Sequence, residues 1–326
     1  MKEAIRRYTG SELLRISPEK SQPIIEDFLF ENDYIMIVAP SKMGKSILAQ
    51  QIACSLTSAT PLFNTLDIPN PVLVWYFATE GKDDDTKGRL IRMDRAVPLN
   101  TQYLTLWCSR ELRFNTKAGE NMLEILLNTT PPEDLPKVII IDALYRAIKG
   151  SLKNDDVVND FHHTVSSFAD KCDAAVIVVH HMKKRTRTEG GDYLSQSDED
   201  SYGSAFLTAA ADHIYWLNKC NKGEKNDRIL KCDTQRSGNI IDMIRLRLME
   251  PDPLYYKTID LYAEVETKIF NILGKNLEGL DATSLIDKLS VSRGVFYLAV
   301  KELVGRNAIS KSVTRPVIYK INNDLP

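Results

Sequence analysis

Residues 34 to 56 read YIMIVAPSKMGKSILAQQIACSL. An apolar run, YIMIV, stops at a polar turn containing one glycine. A helical pattern follows at once, with Ile47, Leu48, Ile52 and Leu56 as its apolar side. The turn APSKMGKS fits GxxxxGK[ST] at every position except the first, where Ala39 stands in place of glycine; Gly44, Lys45 and Ser46 fill the rest. No other feature constrains the fold as much. A strand, a tight loop and a helix in this order turn the loop's backbone N–H groups, and those of the first helical turn, toward one point.

Such a point takes an anion. Gly44 lets the backbone approach it without a Cβ. Lys45 is then the residue to reach the β- and γ-phosphates of a nucleotide, and Ser46 the hydroxyl to hold Mg²⁺. The glycine missing at Ala39 only eases the turn, and alanine there is a small change. The expected nucleotide-binding residues are Ala39, Pro40, Ser41, Lys42, Met43, Gly44, Lys45, Ser46 and Ile47. A metal-anchoring acid should end a later apolar strand, and VIIID puts Asp142 there. Glu80 ends the earlier run in VWYFATEG. In a parallel sheet the carboxyl ends of strands share a crevice with the first strand–helix turn. A carboxylate in that crevice can polarise the water attacking a γ-phosphate. His180 and His181 end AAVIVVHH at the same edge, where a neutral imidazole could sense the γ-phosphate. Strand alternation leaves open which of the two faces the crevice.

The wider chain agrees with this frame. The runs at 34–38, 72–78, 103–107, 137–142, 174–181 and 213–217 are near-continuously apolar, as strands covered on both faces are. Helical patterns fall near 45–58, 83–95, 118–128, 155–171 and 203–211, with further strands at 228–236 and 240–249. The expectation is a doubly wound, mostly parallel α/β domain over 31–250, preceded by a lead-in over 1–30. PDPLYYK breaks the pattern. Three helices and a β-ribbon then follow over 262–326, the outline of a winged helix-turn-helix. Five scattered cysteines without a CxxC pair point to reduced thiols in a cytoplasmic protein. No apolar run has the length of a membrane span, and the N-terminus lacks the apolar stretch of a signal peptide. The net charge of -2 excludes a global basic field, so any nucleic-acid contact must be local.

The set APSKMGKS, FATEG, VIIIDAL and VVHHMKK, in this order, resembles the RecA-like ATPase superfamily. Within it the chain looks like the compact hexameric helicases of the RepA plasmid type, relatives of DnaB-type replicative helicases, over roughly residues 20 to 250. The resemblance implies a RecA-like fold, ATP and Mg²⁺ as cofactors, and a homo-oligomer, a hexamer, with ATP between subunits. It makes Lys45 and Ser46 the phosphate and magnesium ligands, Asp142 the second metal-binding acid, Glu80 the catalytic glutamate and His181 the sensor. DTQRSG at 233–238 is similar to a late K-Q-R-N-G segment of the DnaB type, which implies that Arg236 is an arginine finger acting on the neighbouring subunit. Thr234 stands where that segment has a lysine. The RepA type carries an arginine in the preceding strand, where ADHIYWL has Tyr215. Arg228 and Lys231 are therefore alternative fingers.

The same resemblance implies two channel loops touching DNA, single-stranded in a central channel. One follows Asp142 and carries Arg146, Lys149 and Lys153. The other follows His181 and carries Lys183, Lys184, Arg185 and Arg187, with Gly190 and Gly191 permitting movement. Cations crowded on a loop suit a nucleic-acid backbone. In the C-terminal region Arg293, Tyr297 and Lys301 recur at helical spacing and form one strip. Phe296, Val300 and Leu303 form a neighbouring apolar strip, and such a module can dock on DNA or on protein. The implied function is an ATP-dependent 5′–3′ DNA helicase or translocase of a plasmid, phage or other mobile element, with a primase or initiator as a separate partner. The alternative is a DNA-binding regulatory or loader ATPase that switches assembly with nucleotide and unwinds nothing.

Overall fold

A computed structural model describes residues 9–14, 21–181, 206–220, 224–235, 240–289, 293–313 and 316–322. Along the chain come α1 (Gly10–Leu13), β1 (Pro23–Ile25), β2 (Leu29–Phe30), β3 (Tyr34–Ala39), α2 (Lys45–Ser58), β4 (Val74–Ala78), α3 (Asp83–Asp94), β5 (Leu104–Cys108) and α4 (Lys117–Thr129). Then follow β6 (Val138–Asp142), α5 (Leu144–Ala147), α6 (Asp155–Cys172), β7 (Ala175–His181), α7 (Phe206–Ala209), β8 (His213–Lys219), β9 (Asp227–Gln235), β10 (Met243–Met249) and β11 (Tyr255–Thr258). The C-terminal part holds α8 (Leu261–Gly274), β12 (Leu280–Asp281), α9 (Ala282–Leu289), α10 (Arg293–Gly305), β13 (Ile309–Lys311) and β14 (Ile318–Ile321).

One nine-stranded sheet runs β11-β10-β9-β8-β3-β7-β6-β4-β5. The strands from β8 to β5 pair in parallel, while β9, β10 and β11 are antiparallel additions at one edge. Each central strand is buried on both faces, and alternation divides its residues between two cores. Ile35, Ile37 and Ala39 join Val138, Ile140, Ile177 and Val179 on the face covered by α2. Tyr34, Met36 and Val38 join Ile139, Ile141, Val176 and Val178 on the face covered by α6. Each fully buried Ile, Leu or Val side chain here contributes roughly 1.5–3 kcal/mol. Helix α6 starts cleanly because the Asn154 side chain accepts from the Asp156 and Val157 N–H groups, and it ends at Asp173 in the left-handed region.

Two expectations need correction. The sheet does not stop at residue 250: PDPLYYK contains the return of a hairpin, and Tyr255–Thr258 pairs antiparallel with β10 as the ninth strand. Prolines on both sides of Asp252 make the reversal, and sequence periodicity reads such a turn as an end. Helix α2 is not amphipathic in use. Gln50 and Gln51 on its expected polar side are each 1% exposed. The reason is β11: the Gln51 amide donates to the Tyr256 carbonyl (2.7 Å) and accepts from the Tyr256 N–H (2.5 Å), which satisfies a strand edge with a side chain. Of the helix expected near 203–211, the described part is α7, and 203–205 lie outside the described residues.

The C-terminal part has its own core, with Phe296, Val300 and Leu303 buried among Val265, Ile269 and Leu285. Asp281 caps α9, its Oδ1 accepting from the Thr283 and Ser284 N–H groups at 2.9 and 3.0 Å. Its sheet runs β12-β14-β13. Arg247 on β10 ties α8 to the main sheet, donating to Asp227 Oδ1 at 2.6 Å and to Glu264 Oε1 at 2.7 Å. Among the described residues no helix is long and apolar enough to cross a membrane.

Candidate functional site

Alternation also decides what faces α2. Asp142 follows Val138 and Ile140 onto the α2 face, and His181 follows Ile177 and Val179. The question of the two histidines is thereby answered: His181 points toward the loop, and His180 is fully buried on the opposite parity. Thr79 sets the third element. Its N–H donates to the Asp142 carbonyl at 2.7 Å and its hydroxyl to the Ala143 carbonyl at 2.8 Å, which locks the end of β4 to the end of β6 just before Glu80.

The loop between β3 and α2 turns at Lys42 and Gly44, both in the left-handed region (φ 63° and 94°). Gly44 is required twice over. Its φ disfavours any side chain, and a Cβ there would sit 2.1 Å from Tyr256 Oη. The tyrosine comes from β11, where it donates to the Met43 carbonyl at 3.1 Å. Gly44→Ala is expected to lose about 1–3 kcal/mol from the backbone alone and a similar ~1–3 kcal/mol from the clash. Adding Tyr256→Phe should restore part of the second loss and none of the first. Denaturant midpoints of the two single variants and the double variant test this; a double variant no better than Gly44→Ala would refute the clash.

Lys45 is 5% exposed. Its ammonium donates to the carbonyls of Ala39 and Pro40 and lies against His181 Nδ1, each at 3.1 Å. An ammonium can only donate, so His181 Nδ1 is the acceptor and Nε2 carries the proton. That Nε2–H faces Glu80 Oε2 at 3.5 Å. Burial pushes the Lys45 pKa down to about 8, against the pull of Asp142 and Glu80. The His181 hydrogen bond leads the effects that hold the Glu80 carboxyl below its usual range, and the Tyr145 hydroxyl, donating to Oε1 at 2.8 Å, adds to it. Asp142 is buried, and desolvation pushes its pKa up although Tyr76 donates to Oδ2 at 2.7 Å and Ser46 to Oδ1 at 3.2 Å.

These groups line a cleft of about 570 Å³. Six cations (Lys42, Lys45, Arg89, Lys219, Lys225 and Arg228) outnumber three carboxylates (Glu80, Asp142 and Glu250), so the cleft suits a polyphosphate. The Ser46 hydroxyl and the Asp142 carboxylate form a pair of hard oxygen ligands at the mouth of the loop. Their chemistry fits Mg²⁺, which keeps waters and substrate phosphates as its remaining ligands.

Sequence reasoning missed several members. Tyr76, Tyr145, Arg89 and Tyr256 reach the site from other strands and helices. Tyr76, inside VWYFATEG, and Tyr145, three residues beyond Asp142, lay within reach of a motif. Arg228, one of the alternative fingers, is buried, and its Nε donates to the Met43 carbonyl in the loop of the same chain at 3.3 Å. Tyr215 is buried against Phe28 and donates to the Phe28 carbonyl at 2.7 Å. Lys231 is exposed on β9 and paired with Asp233. Lys149 and Lys153 are exposed beyond α5, and Arg293 and Lys301 are exposed on α10. Arg236 and the run Lys183, Lys184, Arg185 and Arg187 lie outside the described residues.

The family model described as "AAA domain" matches residues 7–187. No curated protein matches the chain. Among solved structures, the ATPase domain of G40P superposes with a TM-score of 0.52 at 14% identity, over 71% of this chain and 86% of that one. A DnaB-like replicative helicase, solved with regard to its interactions with primase, superposes with a TM-score of 0.53 at 15% identity, over 77% of this chain and 66% of that one. Likeness at these identities is likeness of fold, and the fold is the RecA-like one.

Proposed function

The chain belongs to the AAA domain family, and from that premise we propose that it is an ATP-driven DNA translocase or helicase assembled as a ring, a hexamer. One observation carries the ATPase half: Lys45, Ser46, Asp142, Glu80 and His181 meet in one cleft at the carboxyl edge of a parallel sheet. The nucleic-acid half is supported by the exposed cations Lys149, Lys153, Arg293 and Lys301 and by the fold shared with a DnaB-like replicative helicase. A primase is the partner that this likeness suggests. The C-terminal helices and ribbon are read as a winged helix, with the exposed strip of α10 as its docking face.

The residues divide the work. Lys45 leaves the Ala39 and Pro40 carbonyls for the β- and γ-phosphates, and the backbone N–H groups of the loop hold the remaining oxygens. Ser46 and Asp142 would hold Mg²⁺, which when bound neutralises charge on the phosphate oxygens. Glu80 orients a water and takes its proton. His181 loses the Lys45 ammonium from Nδ1 when the lysine moves, so its other nitrogen, facing Glu80, reports the state of the phosphate site. Arg236 would approach the ATP of the adjacent subunit.

The test is ATP hydrolysis with and without single-stranded DNA, on samples sized by native mass spectrometry, followed by strand displacement. Stimulated hydrolysis in a ring-sized species that separates strands is expected. Hydrolysis indifferent to single-stranded DNA, with nucleotide-dependent binding of a duplex and no displacement, would replace the motor by a regulatory or loader ATPase.

A further inference from the structure

Helix α5 is a single turn between Asp142 and the exposed cations of the 149–153 segment. Leu144 and Ala147 are buried and anchor it. Tyr145 and Arg146 project outward. The Tyr145 hydroxyl donates to Glu80 Oε1 at 2.8 Å, and its ring meets the His181 imidazole edge-on with centroids 5.1 Å apart. The Arg146 guanidinium lies over the same ring, 5.3 Å from its centre. Glu80 is thus engaged at both oxygens, by the Tyr145 hydroxyl at Oε1 and by His181 Nε2–H at Oε2. A phenol donating to a carboxylate stabilises its charge, which makes it a poorer base, and occupies an oxygen that would otherwise accept from water.

We infer that Tyr145 is a positioning residue that restrains Glu80, and that an anionic nucleic-acid backbone drawing Arg146 off the tyrosine ring relieves the restraint. The second half rests on the proposed function; the first half does not. The side chains form the path: phosphate oxygens compete for Arg146, the ring loses its cationic neighbour, and the hydroxyl is freed to leave Oε1. The backbone around the turn is held, which confines the change to these side chains. Asn115 pins the loop just beyond the turn, donating to the Lys149 carbonyl at 2.9 Å and accepting from the Lys149 N–H at 2.7 Å. The Ala147 carbonyl accepts from the Phe114 N–H at 2.8 Å, so the backbone is held on α5 as well and the side chains of Tyr145 and Arg146 are what can move.

Tyr145→Phe tests it, since the ring keeps its packing on His181 and only the hydroxyl is removed. Steady-state ATP hydrolysis would be measured for both proteins in saturating magnesium, with and without an oligodeoxythymidine single strand, along with KM for ATP and the melting temperature. The expected result is a basal kcat raised about fivefold at unchanged KM, with the DNA-stimulated rate near wild type, so that the stimulation ratio collapses. A basal kcat that stays level or falls would overturn the restraint. If wild type is not stimulated by DNA but the variant's basal rate rises, the restraint stands and the translocase reading fails. If wild type is stimulated and the variant behaves identically, the translocase reading stands and the restraint fails.

Discussion

Glu80→Gln should bind ATP as the wild type does and hydrolyse it about 10²–10⁴-fold more slowly, the contribution of a positioned general base. The amide keeps the shape of the carboxylate, and its oxygen can still accept from either the Tyr145 hydroxyl or the His181 Nε2–H. What it loses is the capacity to take a proton. Nucleotide affinity, followed by thermal shift or fluorescence, should stay within a few-fold, since the hydrogen-bond partners of Glu80 are Tyr145 and His181 and not the phosphate loop. A single-turnover measurement separates chemistry from product release. Hydrolysis within about tenfold of wild type would mean that another group activates the water, and His181 would be next in line.

Lys45→Ala should reduce hydrolysis by about 10²–10³-fold, the loss expected when one preorganised donor to the developing charge is removed. Here the fold should not suffer. The ammonium is buried, and its pKa is pushed down to about 8 by desolvation, so in the nucleotide-free protein it is a cost relieved by its removal. A melting temperature unchanged or higher, with activity gone, separates this outcome from misfolding. The same depressed pKa gives a pH signature. The protonated lysine binds phosphate, and phosphate in turn favours the protonated lysine, so the bound pKa lies above the free one. Affinity for ATP is then full below about pH 8 and falls as pH rises through that value, by about tenfold one unit above it. Calorimetry in buffers of different ionisation enthalpy should record proton uptake on binding near pH 8. An affinity flat between about pH 7 and pH 9 would mean that the lysine is not the titrating contact.

The parts of this site differ in how far they can be read from the chain. The loop and its flanking strand and helix are local: Ala39 to Ile47 carry the turn, the anion-binding N–H groups and Lys45 within one short stretch. Asp142 and Glu80 are also legible, because a carboxylate closing an apolar run in a parallel sheet must emerge at the common edge. The choice between His180 and His181 was not legible. A strand buried on both faces shows no polar parity, so the residues of β7 do not say which side holds α2. Tyr256 was hidden for a different reason. It lies behind a proline-rich turn that reads as a boundary, and it reaches Gly44 across a separation of 212 residues.

Tyr145 and Arg228 extend the point. Both are ordinary in sequence: a tyrosine after a strand, and a basic residue at the start of another strand. Their roles come from partners, Glu80 at a separation of 65 residues and Met43 at 185. By itself, then, the sequence determined the parallel α/β core, the anion-binding turn and the acids at its edge, because apolar runs, glycine conformation and strand ends are properties of neighbouring residues. The tertiary structure alone decided which histidine meets Lys45, what supports Gly44 and what holds Glu80. Those are contacts between segments far apart in the chain, and the direction of a side chain within a sheet covered on both faces is set by what packs on each face.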